Sequence, residues 1–152
     1  MRQRRPQVIL EFGSGWSRYF LALALRDNAS GYLYSVDAVE KWADNTRRLM
    51  PERLREFCEI SFSESVLAEH DGMPCFKHRS VPDIVPNMVY LDGPALTPER
   101  KVSIDLLALE DKFPDDFLLV IDGRMPNAEF LGRYFRRTYR RFDRASLFSE
   151  LN

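Results

Sequence analysis

Two groups of residues in this 152-residue chain have types and spacing that could do chemistry. The first is Glu11-Phe12-Gly13-Ser14-Gly15-Trp16-Ser17 together with Asp37. Glycines at 13 and 15 let a turn adopt unusual backbone angles and let a ligand lie against the main chain, although a purely structural tight turn would use the same residues. Asp37 stands 22 positions beyond Gly15, where a carboxylate can accept hydrogen bonds from both hydroxyls of a ribose. It could equally cap a helix starting near Ala38. The second group is Asp92 and Asp122, each closing an apolar run and each followed by glycine. Paired carboxylates suit general-base work or a divalent cation. Two aspartates capping two turns would look the same.

These residues need elements to hold them. Val8-Ile9-Leu10 is a short apolar run that suits a buried parallel strand, and a helix is expected over Ser17 to Arg26. Gly31 to Asp37 reads as a second strand. Val39, Trp42, Ala43, Thr46, Leu49 and Met50 then follow helical spacing. A third strand is expected over Glu56 to Phe62, a fourth over Asn87 to Asp92 and a fifth over Phe117 to Asp122, with a helical stripe Val102, Leu106, Leu109, Phe113 before the last. Leu131, Tyr134, Phe135 and Thr138 mark a final helix, followed by an extended tail around Phe142 to Phe148. Strands alternating with helices imply an α/β fold with a doubly wound, mostly parallel sheet whose ligands sit at the carboxyl ends of its strands. Glu64 to Pro86 holds Gly72 and three prolines with little periodicity, and reads as a long functional loop.

Composition narrows the class. With 45% hydrophobic residues the chain can bury one sizeable core, so a single domain over 1–152 is expected. Twenty-two basic residues against 23 acidic leave no global field for nucleic acid or membrane, so any such partner needs a local patch. Arg133 to Arg144 is the candidate for a phosphate-binding patch, but on a helix Arg133, Arg136, Arg137 and Arg140 would lie opposite Leu131, Tyr134 and Phe135, and the favoured reading is its solvated face, with nucleic acid not expected. Cys58 and Cys75 make neither a disulfide framework nor a C-x-x-C pair, which points to a reducing, cytoplasmic setting. No apolar run approaches a signal-peptide core or a membrane span. His70 and His78, without spaced partners, read as solvated loop residues.

Glu11-Phe12-Gly13-Ser14-Gly15 resembles the first motif of the class I, Rossmann-like S-adenosylmethionine-dependent methyltransferases, and Tyr34-Ser35-Val36-Asp37-Ala38 resembles their second. The resemblance runs on through Asp92 and Asp122 and covers most of the chain. It implies that Gly13, Ser14 and Gly15 hold the methionine half of S-adenosylmethionine, with Glu11 near its amino group. Asp37 and Ala38 would take the ribose side, and Ser63, Glu64 and Ser65, just past the third strand, the adenine. Asp92 would face the transferred methyl and its unidentified acceptor as base or positioning group, with Asp122 second. Catechol-type members bind magnesium through an Asp-Asn pair at the fifth strand. Here Asp122 is followed by Gly123, with Asn127 the nearest asparagine, so no metal is expected.

The resemblance has gaps. Arg18 stands where a dinucleotide fingerprint needs its third glycine, which argues against an NAD-linked enzyme. Family members usually carry a helix before the first strand and an antiparallel strand pair after the last helix. This chain reads as a minimal or truncated version, or as part of a homo-oligomer that completes the sheet. A cofactor-binding or interaction module without methyl transfer is the alternative function.

Overall fold

The computed structural model describes residues 5–95 and 102–142. In chain order its elements are β1 (Val8–Phe12), α1 (Ser17–Asp27), β2 (Tyr32–Asp37), α2 (Glu40–Leu49), α3 (Glu52–Arg55), β3 (Cys58–Phe62), β4 (Ser65–His70), β5 (Met73–His78), β6 (Met88–Leu91), α4 (Asp105–Leu109), β7 (Leu118–Ile121) and α5 (Met125–Tyr134). A 3-10 turn, Glu110–Lys112, extends α4. The architecture is α/β: a five-stranded, all-parallel sheet in the order β3-β2-β1-β6-β7 and a separate antiparallel pair, β4-β5. Among the described residues no helix is long and apolar enough to cross a membrane.

Strands β1 and β2 are largely apolar, and β6 and β7 wholly so, because the sheet has a core on each face, whereas β3 at the edge alternates buried and exposed residues. Ile9, Leu33, Ile60 and Met88 point to one side, where Leu21, Ala22 and Leu25 of α1, Ala43 of α2 and Leu54 of α3 cover them. Leu10, Phe12, Val36, Val89 and Leu91 point to the other, against Leu106 and Leu109 of α4 and Phe130 and Leu131 of α5. The chain winds outward from β1 to β2 and β3, then returns to place β6 on the other side of β1. That reversal makes β1 and β6 the switch point of the sheet, where an open α/β sheet offers a crevice at its carboxyl edge.

Three expectations need correction. The segment from Glu64 to Pro86 contains the β4-β5 hairpin. Asp71 (φ 52°) and Gly72 (φ 74°) both take left-handed angles, as a two-residue type I′ turn requires. The hairpin lies outside the main sheet, so its inward and outward residues do not follow the sheet's pattern: Cys75, Phe76 and His78 are buried while Pro74 and Lys77 are exposed. Phe76 ties it to the rest by hydrogen bonds to Val102 O and from Ile104 N, both 3.0 Å. The final helix stops at Tyr134, so Thr138, Arg136, Arg137 and Arg140 are not on it. The buried Glu110 carboxylate draws the chain out of the helix by accepting the backbone N–H groups of Arg136 (3.0 Å) and Arg137 (2.9 Å). The helical stripe before β7 is also shorter than its spacing suggests, with Val102 ahead of α4 and Phe113 beyond the 3-10 turn. Of the expected tail, only Phe142 falls within the described residues, and Arg144 lies outside them.

Candidate functional site

At the carboxyl end of β1 the chain turns at Gly13 with φ 93°, and its N–H donates to Val36 O at 2.8 Å. The turn fits against the loop after β6: a Cβ on Gly13 would stand 2.6 Å from Gly93 Cα and N, so only glycine suits the position. Gly15 is less crowded. A Cβ there would lie 3.4 Å from Asp92 Oδ2, which places the Asp92 carboxylate beside the second glycine.

Asp37 closes this turn from β2. Its Oδ2 accepts the Ser14 N–H at 3.0 Å and the Ser14 hydroxyl, and its Oδ1 accepts the Val39 N–H at 2.8 Å. The cap residue of α2 is Val39, with no side-chain cap, so Asp37 forms a local turn ahead of α2 and does not cap that helix. Ala38 is half-buried between them. Beneath the turn, Glu11 is fully buried, accepting the Ser17 hydroxyl at 2.5 Å and the Ser35 hydroxyl at 2.6 Å. Burial pushes its carboxyl up to about 7, against the lowering effect of both hydroxyls and of Arg18. Arg18 was noted in the sequence only as a missing glycine. Its guanidinium donates to the carbonyls of Ser14 and Gly15, fixing the turn from its open side.

Of the three residues expected beyond β3, Ser63 is buried and built into the scaffold. Its N–H donates to Asp37 O at 2.9 Å, and its hydroxyl accepts the Ser80 N–H at 2.9 Å. Glu64 is exposed and paired with Arg79 at 2.7 Å, and Ser65 opens β4 opposite His78. A groove of about 420 Å³ opens alongside, between Tyr34, Ser61 and Phe62 on the sheet and Ser80, Val81 and Pro82 across from them.

Asp92 and Asp122 come together, as their places at the ends of neighbouring strands imply. Leu91 pairs with Ile121, and Asp122 N–H donates to Leu91 O at 3.1 Å. Both carboxylates are exposed. Partial burial and the charge of Asp122 raise the Asp92 pKa above the ordinary carboxylate range, while Arg124 pulls it down. Asp122 accepts the Tyr90 hydroxyl at 2.7 Å, and burial together with that bond raises the Tyr90 pKa. Among the described residues no three His, Cys, Asp or Glu side chains gather as a metal site. Asn127 is buried and serves the backbone, accepting the Ser103 N–H at 3.0 Å and donating to Ser103 O at 2.9 Å.

Other assignments change. His78 is not solvated: it is buried against the Phe12 ring, and its Nδ1 lies 3.0 Å from Asp105 Oδ2, which also accepts the Ser103 hydroxyl at 2.6 Å. His70 is half-buried and meets the rings of Phe130 and Tyr134 edge-on. The arginines do not form one solvated helix face. Arg136 pairs with Glu110 and Asp111, and Arg137 pairs with Asp115 and donates to Phe113 O at 2.6 Å, so both bind the segment before β7. Arg124, which no sequence pattern singled out, is almost fully buried behind Asp92. Exposed Trp16, Val39 and Met125, at the starts of α1, α2 and α5, add apolar surface around this edge. No protein-family model matches the chain, and no curated protein matches it either.

Proposed function

We propose that the chain binds S-adenosylmethionine in a Rossmann-like methyltransferase fold and transfers its methyl group to an acceptor that the residues do not identify. The observation that carries this reading is one juxtaposition at the carboxyl edge. A glycine turn is held on Asp37 of β2, and the Asp92 carboxylate sits beside Gly15 of the same turn. When bound, the cofactor would supply a methyl carbon that a nucleophile attacks in line, the C–S bond breaking as the sulfonium sulfur leaves as a thioether. Gly13, Ser14 and Gly15 hold its methionine half. Glu11 supports that turn from below through Ser17, and Asp37 exchanges the Ser14 hydroxyl for ribose hydroxyls. Phe62 and Ser63 border the adenine side. Asp92 takes the acceptor's proton, its raised pKa making it a stronger base than an ordinary aspartate. Asp122 sustains that shift. The protein otherwise contributes orientation.

Native mass spectrometry should find S-adenosylmethionine or its demethylated product carried through purification. Calorimetry then tests Asp37. If it accepts two ribose hydroxyls, Asp37→Ala should weaken binding at least about tenfold. The same change should destabilise the fold by about 1 to 3 kcal/mol, because Ser14 and Val39 lose their acceptor. Asp37→Asn keeps the geometry and should fall between. Unchanged affinity in both folded variants would remove the ribose assignment.

A second reading, a cofactor-binding or interaction module without methyl transfer, is favoured by one observation. Asp37 is only 8% exposed and both its oxygens are already bonded inside the chain, so the turn is complete without a ligand. Bound S-adenosylmethionine without turnover across acceptor classes would favour the cofactor-binding form, and no cofactor binding by the wild type the interaction form.

A further inference from the structure

The loop that carries Asp92 is held from behind by a residue outside the proposed site. Arg124, just ahead of α5, is 3% exposed, and its Nη1 donates to Pro94 O at 2.6 Å and Asp92 O at 3.3 Å. The guanidinium stands over the Phe76 ring at 5.9 Å, and its Nη2 reaches Asn127 Oδ1 at 3.5 Å. Asn127 in turn holds both backbone groups of Ser103. Arg124, which precedes α5, and Asn127, three residues later in its first turn, therefore grip the β6–α4 connection at Pro94 and at Ser103. The gripped loop also carries Gly93, which packs on Gly13. A buried arginine with two carbonyl partners has a fixed direction, because its planar fork cannot swing without leaving charge unpaired.

We propose that Arg124 is the positioning residue for Asp92: by gripping the carbonyls of Asp92 and Pro94 it sets the Asp92 carboxylate beside Gly15. Its importance for methyl transfer rests on the function proposed above, but the placement itself does not. Among the described residues, four charged or titratable groups act on or beside this carboxylate: Glu11 of β1, Tyr90 of β6, Asp122 after β7 and Arg124. Arg124 is the only cation of the four, and it alone also bonds the Asp92 backbone.

The test is a carboxyl NMR titration of Asp92 in the ligand-free protein, with the Gly15 amide followed over the same pH range. In the wild type the Gly15 amide should move with Asp92 ionisation, because the carboxylate lies beside it. Arg124→Met should raise the Asp92 midpoint and cut the Gly15 response by about a quarter or more, the loss expected when the carboxylate shifts by roughly an ångström or more. Arg124→Lys keeps a cation but loses the fork, so it should lower the midpoint again without restoring the Gly15 response. An intact Gly15 response in Arg124→Met, or full recovery in Arg124→Lys, would overturn the proposal. If Arg124→Met does not fold, Arg124→Lys decides alone by the same criterion. Calorimetry with S-adenosylhomocysteine runs beside it: no binding to the wild type would sink the methyltransferase reading while the titration still judges the clamp.

Discussion

The two halves of the carboxyl edge treat their carboxylates in opposite ways. On the β1–β2 side, Glu11 and Asp37 are buried and every oxygen is bonded to a hydroxyl or a backbone N–H. On the β6–β7 side, Asp92 and Asp122 are exposed and close enough that one raises the other's pKa. Saturated carboxylates fix geometry, because moving them would strand buried donors. Exposed, mutually repelling carboxylates stay in contact with solvent, although Asp122 also accepts the Tyr90 hydroxyl. The first side is therefore held rigid and the second lies open to solvent, and the two meet where Gly13 packs on Gly93.

That contact is the most direct place to break the contrast. Gly13→Ala adds a Cβ 2.6 Å from Gly93 backbone atoms at φ 93°, so strain and overpacking together should cost about 4 kcal/mol in chemical denaturation. Gly72→Ala is the control. It meets nothing within 4 Å at φ 74° and should cost only about 1 kcal/mol. Equal losses would mean that the turn and the β6 loop do not depend on one another.

Glu11 sharpens the holding side. Its folded pKa is raised from 4.5 to about 7, so the native state binds more protons than the unfolded chain between those values. Stability attributable to Glu11 is complete below pH 4.5 and is lost as the pH rises through 7, on the order of 3 kcal/mol in all. Glu11→Gln, neutral throughout, should flatten the stability profile in that window. Urea midpoints for both proteins at pH 5 and pH 7.5 make the comparison, and parallel profiles would show that Glu11 is not held in this way.

The smallest expected effect lies on the exposed side. Asp122→Asn removes the neighbouring charge, so the Asp92 midpoint should fall in a carboxyl titration. Because the side chain is exposed, stability should change by no more than about 0.5 kcal/mol. An unmoved midpoint would show that the two carboxylates do not sense each other.

Much of this was legible in the residues. Val8 to Phe12, Tyr32 to Asp37, Met88 to Leu91 and Leu118 to Ile121 are apolar runs that end in acidic or glycine-rich turns, and all became parallel strands within a residue or two of expectation. Sheet burial on both faces demands such runs, so local composition sufficed. Asp92 and Asp122 met because neighbouring parallel strands bring their ends together. The Asp71-Gly72 pair was a readable hairpin signal, obscured by the three prolines around it.

What the sequence by itself determined was the alternation of strand and helix, the glycine turn and the placing of acidic residues at strand ends, since each depends on neighbours along the chain. Tertiary structure alone decided which carboxylates are buried and which are exposed. It also ended α5 at Tyr134 through the distant Glu110, buried His78 against Phe12, and set Arg124 behind Asp92. The physical reason is the same in each case. For α5, His78 and Arg124 the partners lie more than 25 residues apart, and everywhere a polar group's surroundings, hence its charge and freedom, exist only once the chain has brought the elements around it together.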